Sequence, residues 1–428
     1  MDVPEVEKDS RDTAAIRLPL AFHKVWIAST VSNLGDGMRI TALPLLAATL
    51  TRNPGLVSAL TFASFLPWLL VGLPAGAIVD RTDRKSLMMT VDLARAGVVL
   101  ALGLLVSSGM AHITVLYVAA FLIGAGEVFF DTASQTLLPN VVDPPALERA
   151  NGRLYSAQLV TNEFVGPPLG GVLFGIAAAL PLYVDAATFL IAPAVLATIP
   201  GRFRAGSAEV AGEPREIWTE IRDGARWLWR HTLLRTLAWM LAIQNFIAGA
   251  VFSIFVLFAL EVLDVSNAGY GFLVAAGAVG GVTGGVVADK LAKRIHTQRL
   301  IVLALFLTGV AFAGMGTTSH AVVAGAFFAV EGFASVLWQV VTVSLRQSIV
   351  PEGLLGRVNS AYRFVGMAIL PLGALAGGAL ATIFDLRTPL VSSGVTLLAL
   401  GLLASVLVTR ELVDAARTKS SAGTGQTG

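Results

Sequence analysis

Several charged side chains stand inside stretches that are otherwise strongly apolar. Asp36 and Arg39 lie three residues apart, Glu127 and Asp131 four apart, and Asp92 and Arg95 three apart; Glu163 and Glu331 stand alone. A charge at the centre of a bilayer costs about 2.5–3.5 kcal/mol on insertion scales, so each of these is a functional candidate if its stretch spans a membrane. Removing a carboxylate from water favours its neutral form. Such a group can take a proton on one side of a membrane and release it on the other. Glu127 and Asp131 share a helix face at a spacing of four, and two like charges there disfavour each other. Asp36, beside Arg39, suits charge pairing or cation binding. The proton-coupling candidates are therefore Asp36, Glu127, Asp131 and Glu163. The candidate substrate contacts are Asp36, Arg39 and Glu331, with the amides Gln244, Asn245 and Gln339. The competing reading is a static ion pair, for instance Arg95 with Asp131 or Glu127.

The elements that position these residues follow from composition. Of 428 residues, 55% are hydrophobic and only 14% are charged, against about 25% charged in soluble domains. A spanning helix needs about 20 mostly apolar residues. By that rule the chain holds twelve spans, near 21–49, 55–79, 86–109, 112–138, 153–178, 181–200, 233–262, 267–289, 298–317, 320–346, 358–383 and 388–409. The expected fold is an all-α membrane protein of twelve transmembrane helices in two pseudo-symmetric six-helix halves. The halves are residues 21–200 and 233–409, with tails at 1–20 and 410–428 and a linker at 201–232. Within the linker, Pro214 to His231 reads as an amphipathic helix with Ile217, Ile221, Ala225, Leu228 and Trp229 near one face, suited to lying on a membrane surface. The polar first 19 residues give no sign of a cleavable leader.

Two copies of one motif support the halves. Gly72 to Lys85 is an apolar, small-residue run ending in charge, and Gly281 to Arg294 repeats its layout 209 residues later. Gly76 matches Gly285 and Asp80 matches Asp289. Recurrence at half-length argues for a duplicated protein with two similar halves. Small residues allow close helix approach in lipid. Arginine and lysine concentrate in loops on the cytoplasmic side. Arg81, Arg84, Lys85, Arg149, Arg153, Lys290, Lys293, Arg294, Arg299 and Arg357 fall in one set of loops, and only Arg52 and Arg387 in the other. Both termini are therefore expected in the cytoplasm, with the chain multi-pass in the cell's inner membrane.

The loop Gly76, Asp80-Arg81, Arg84-Lys85 resembles the signature between helices 2 and 3 of the major facilitator superfamily. The run Asn33-Leu34-Gly35-Asp36-Gly37, followed by Ala42-Leu43-Pro44-Leu45, resembles its drug–proton antiporter branch with macrolide-efflux and siderophore-export pumps. Gly166-Pro167-Pro168-Leu169-Gly170-Gly171 resembles the helix 5 motif of exporters. The resemblance implies a gating role for Gly76, Asp80, Arg81, Arg84 and Asp289, and for Gly166, Pro167 and Gly170 on helix 5. One departure stands out: many such antiporters carry an arginine on helix 4, and the corresponding position here is Ala120. Any proton coupling must use other groups.

The expected function is secondary export of a small amphiphilic molecule, drug-like or siderophore-like, by proton antiport and alternating access. A proton-coupled nutrient importer of the same fold is the alternative. No cysteine is present, the five histidines show no metal-ligand spacing, and no nucleotide-phosphate loop or hydrolase motif appears. The chain is thus expected to be no enzyme and to use a proton gradient rather than a cofactor. Its partners would be substrate, protons and lipid, with no nucleic acid, and a monomer is the default.

Overall fold

The computed structural model describes residues 18–201, 203, 222 and 224–416, which form helices and no strand. In chain order the helices are α1 (Leu20–Leu50), α2 (Pro54–Arg81), α3 (Arg84–Ser107) and α4 (Ile113–Leu137). The fifth, α5, runs through Leu147–Gln158, a π-helical turn Leu159–Val165, and Gly166–Ile176. Then follow α6 (Leu180–Ala197) and α7 (Thr232–Phe252), the latter trailed by a second π-helical turn at Phe258–Val262. The series closes with α8 (Asn267–Arg294), α9 (Thr297–Thr317), α10 (Ala321–Ile349), α11 (Glu352–Ile383) and α12 (Thr388–Leu407).

Local chemistry sets several boundaries. Asn53 caps α2 by accepting from Gly55 and Leu56 N–H, with Pro54 at the first helical position. Asp83 caps α3 through Ser86, and Ser266 caps α8 through Gly269. The π-helical turn in α5 directly precedes Gly166-Pro167-Pro168. Two successive prolines remove the donors that the carbonyls of Glu163 and Phe164 would use, so the ladder is reset there. Some helices outrun the apolar stretches that mark them: α5 begins at Leu147, α11 at Glu352, and α8 continues to Arg294. Polar residues at a helix end sit in headgroups or water, and hydropathy does not register them. The tails up to residue 17 and beyond 416 lie outside the described residues, as does most of the linker, including Ile217 and Ile221; of its expected amphipathic helix, residues 224–230 are helical and Leu228 is buried.

Eleven helices, α2 to α12, are long and apolar enough to cross a bilayer. The exception is α1, which has the length at 31 residues but carries Lys24, Asp36 and Arg39. It is nonetheless a hub, packed against both α5 and α6. In the first half α1 packs on α5 and α6, α2 on α4, and α3 on α4 and α6. The second half repeats the pattern with α7 on α11 and α12, α8 on α10, and α9 on α10 and α12. The two halves of this twelve-helix major facilitator fold meet mainly through α2 with α11 and α5 with α8.

An even number of spans puts the start of α1 and the end of α12 on one face, called here the terminal face. The halves touch at the opposite face. There Arg52 Nη1 lies 3.4 Å from Glu261 Oε1, and Gly55 N–H donates to Thr382 Oγ1 at 3.1 Å. A Cβ on Gly171 would lie 2.5 Å from Asn267 O, and one on Gly271 would lie 2.4 Å from Pro167 O. Toward the other face, a Cβ at Gly72 or Gly76 of α2, Gly152 of α5 or Gly356 of α11 would meet nothing within 4 Å.

Candidate functional site

The two halves have different interiors. In the second, Phe255 stacks on Phe328 with ring centroids 4.9 Å apart, and Phe252, Phe258, Tyr270 and Phe312 join them. In the first, the spaces between α1, α3, α4 and α6 hold a charge cluster of Asp36, Arg39, Asp92, Arg95, Glu127 and Asp185.

Asp36 is its centre. Oδ1 accepts from Arg39 Nη2 one turn along α1, and from Arg95 Nη2 of α3 at 2.7 Å. Arg39 also faces Glu127 of α4, with Nη2 3.8 Å from Oε2, and Asp185 of α6, with Nε 3.3 Å from Oδ2. Arg95 reaches back to Asp92 at 3.6 Å on its own helix and lays its guanidinium 4.1 Å from the Phe189 ring centroid. Arg95 is 2% exposed, Asp92 0% and Asp185 1%, whereas Glu127 is 41% exposed. Both carboxylate oxygens of Asp92 and of Asp185 are buried without a hydrogen-bond partner. Ion pairing in so dry a place is strong only where hydrogen bonds complete it. Asp36 has such bonds and these two carboxylates lack them.

Missing side chains make the cluster possible. The glycines flanking Asp36 bring α5 and α6 against α1. A Cβ on Gly35 would stand 2.3 Å from Asp185 Oδ1 and 2.2 Å from Thr188 Oγ1, and one on Gly37 would stand 2.6 Å from Asn162 O in the π-helical turn. Gly126 lets Arg95 cross α4, since a Cβ there would be 2.8 Å from its Cγ and Cδ. On α5, Gly166 and Gly170 lie against Gly37 and Met38 of α1, and Thr41 Oγ1 donates to Pro167 O at 3.1 Å. Ala120 is buried and carries no charge. The guanidiniums beside Asp36 come instead from α1 and α3.

Among the sequence candidates, Asp36, Arg39 and Glu127 are brought together. Arg95 pairs with Asp36 and Asp92. Asp131 lies one turn along α4 from Glu127. Glu163 is exposed in the π-helical turn of α5 and makes no ion pair among the described residues. Glu331 is buried on α10, away from the cluster, one turn from Phe328. On α7, Gln244 and Asn245 are half-buried, and Gln339 of α10 is exposed. The 209-residue offset sets Asn245 against Asp36 and Ala248 against Arg39, so the charge pair of α1 has no charged counterpart on α7. At the terminal face, Arg81 is exposed at the end of α2, and Arg84 Nη1 donates to Thr136 O at 3.1 Å. Asp289 pairs with Lys293 on its own helix at 2.8 Å; the side chain of Asp80 is outside the described set.

Asp185 was not among the residues singled out from the sequence. It falls six residues into a short span, where an acid reads as an interfacial residue. The signal was present: Asp185 and Thr188 are a polar pair at helical spacing within an apolar run.

A family model described as transmembrane secretion effector matches residues 14–425. The multidrug efflux pump Tap of Mycolicibacterium fortuitum is 26% identical over 399 residues, covering 90% of this chain and 94% of that protein. The enterobactin exporter EntS of Salmonella choleraesuis is 27% identical over 399 residues, covering 90% and 91%. The crystal structure of the nucleoside transporter NupG superposes with a TM-score of 0.74 at 11% identity, covering 91% of this chain and all of that one. That of a bacterial homologue of the iron transporter ferroportin, in an inward-facing state, gives 0.70 at 17% identity, covering 92% and 98%. These two structures speak to the fold alone.

Proposed function

The chain belongs to the transmembrane secretion effector family of major facilitator transporters, and from that premise we propose that it exports a small amphiphilic molecule in exchange for protons. Two six-helix halves, residues 21–200 and 233–409, would rock about a midplane site. One proton moving inward through 100 mV supplies about 2.3 kcal/mol, before any pH gradient is added.

The observation that carries this reading is the charge cluster. Four carboxylates face two guanidiniums at the middle of the first half, and one of the four, Glu127, is partly exposed. An excess of acid in the middle of a membrane calls for protons or a cationic cargo. The direction of transport is supported by the exporter-like α5 motif and by the activities named for the pumps similar to this chain. The basic loops support a cytoplasmic terminal face. Gly76, Asp80, Arg81, Arg84 and Asp289 would then belong to the cytoplasmic gate, and Gly166, Pro167 and Gly170 to the outer seal. Gln244, Asn245, Glu331 and Gln339 remain candidates for cargo contacts from the second half, with Asp131 and Glu163 as further proton-coupling candidates.

The test is transport into inside-out vesicles, using a cargo found by screening drugs and siderophores in a host stripped of its own pumps. Collapsing the pH gradient and the potential together should abolish accumulation. Uptake unchanged by that collapse overturns proton coupling. Asp36→Asn should cut transport while folded protein remains in the membrane.

A further inference from the structure

We propose that Asp185 on α6 is the exchangeable proton-holding carboxylate of this transporter, and that Arg39 is the switch that shares itself between Asp185 and the Asp36–Glu127 side of the cluster. The proposal rests on the reading of the chain as a proton-driven transporter and names the group that does the coupling.

The cluster distinguishes its four acids. Asp36 accepts hydrogen bonds from both guanidiniums and organises them. Glu127 is the most exposed of the four. That leaves Asp92 and Asp185, each sealed from solvent and each without a hydrogen bond to either oxygen. With all four ionised the cluster carries an excess of two negative charges, and these two are the acids least able to bear them. A buried acid without donors gains most from becoming neutral, because desolvation penalises only its charged form.

Asp92 and Asp185 differ in what connects them to water. Asp92 faces Arg95, which is itself buried, lies over Phe189 and turns to Asp36. Asp92 therefore reaches Glu127 only through Arg95, Asp36 and Arg39 in turn. Asp185 faces Arg39 directly, and the same guanidinium touches both Asp36 and the more exposed Glu127. The charged groups around Asp185 are Arg39 and Asp36 from α1, Arg95 and Asp92 from α3, and Glu127 of α4 beyond Arg39; α5 brings none into the cluster.

The step balances simply. A hydronium gives up its proton, one O–H bond forms on Asp185, and the cluster gains one positive charge. Arg39 then has no anion on the α6 side and belongs wholly to Asp36 and Glu127. When Glu127 is neutralised instead, by a proton or a cationic cargo, Arg39 turns to Asp185 and the Asp185 proton leaves to water. Because α6 and α1 touch here through Gly35 and Asp185, the exchange acts on the packing of two helices of the first half.

The decisive measurement does not need the cargo. Infrared difference spectra of the full-length protein in lipid, taken as the pH is stepped across the neutral range, read the carbonyl stretch of protonated carboxyl groups directly. A band that titrates should be lost in Asp185→Asn. It should be shifted in frequency but still titrate in Asp185→Glu. Asp92→Asn should leave the Asp185-dependent band in place. A titrating band of full amplitude in Asp185→Asn, or one unmoved in Asp185→Glu, overturns the proposal. Should Asp185→Asn fail to fold, the Glu variant decides alone. If Asp185 titrates but vesicle transport survives collapse of both gradients, proton antiport falls while the site stands. If transport is gradient-driven and the band does not depend on Asp185, only this assignment falls.

Discussion

Gly35 and Asp185 fit together only because residue 35 has no side chain: a Cβ there would lie 2.3 Å from the Asp185 carboxylate and 2.2 Å from the Thr188 hydroxyl. The contact joins α1 to α6 at the level of Asp36, and it is what presents Asp185 to Arg39. Gly35→Ala should therefore push α6 away from α1. Overpacking of this kind costs about 1–3 kcal/mol. We expect a lowered melting temperature in detergent and a larger loss of transport, since the Arg39–Asp185 distance of 3.3 Å would grow. Unchanged stability and transport in Gly35→Ala would show that the interface is soft and the contact incidental.

Arg52 and Glu261 occupy equivalent positions in the two halves, 209 residues apart, and pair across the face opposite the chain ends. Both are well exposed, so the pair itself contributes only about 0–1 kcal/mol. Its use is as a reporter. The chain has no cysteine, so Arg52→Cys with Glu261→Cys introduces a single reactive pair. A short bifunctional thiol reagent should cross-link it and stop transport by holding this face shut. Full turnover after quantitative cross-linking would mean that this face never opens.

Gly76 offers the complementary test. In the conformation described here a Cβ on Gly76 meets nothing within 4 Å, so Gly76→Leu should fold normally. If the terminal face closes during the cycle, the added side chain obstructs that closure. The expected result is wild-type stability with transport reduced by about tenfold or more, the effect of roughly 1.4 kcal/mol on a population. Gly271→Leu should do the reverse, clashing with Pro167 O in the present state and favouring its opposite.

Asp83 supplies a pH prediction outside the membrane. Burial by itself pushes its carboxyl up. Bonds from the Ser86 backbone and hydroxyl and from Phe203 N–H, with the nearby Lys85 charge, outweigh burial and hold it below the ordinary value. A carboxyl depressed in the folded state contributes stability that is present above its unfolded pKa of about 4 and is lost as pH falls through the lower folded value. Asp83→Ala should therefore cost about 0.5–2 kcal/mol near neutral pH, as for other helix caps. In melting curves the gap between the two proteins should narrow as the pH drops below about 4. A gap independent of pH would mean that the carboxylate charge contributes nothing.

The sequence by itself determined the kind of protein this is. Hydropathy placed twelve helices because lipid satisfies no backbone group, so apolar stretches of the right length have few other options. The internal repeat paired the halves, since duplicated motifs keep their spacing in the chain. It also supplied Asp36, Arg39 and Glu127, because a charge in an apolar helix is costly wherever it points. What it did not determine was company. Arg95 looked equally able to meet Asp131 or Glu127, and only the crossing of α3 over Gly126 brought it to Asp36. Asp185 was not singled out by its sequence, and it joined the cluster only where α6 was set against Gly35. The open space at Gly76 and the contact at Gly271 likewise belong to the arrangement of rigid helices. Periodicity acts within one helix, whereas partners, burial and an excess of charge arise only where several helices meet.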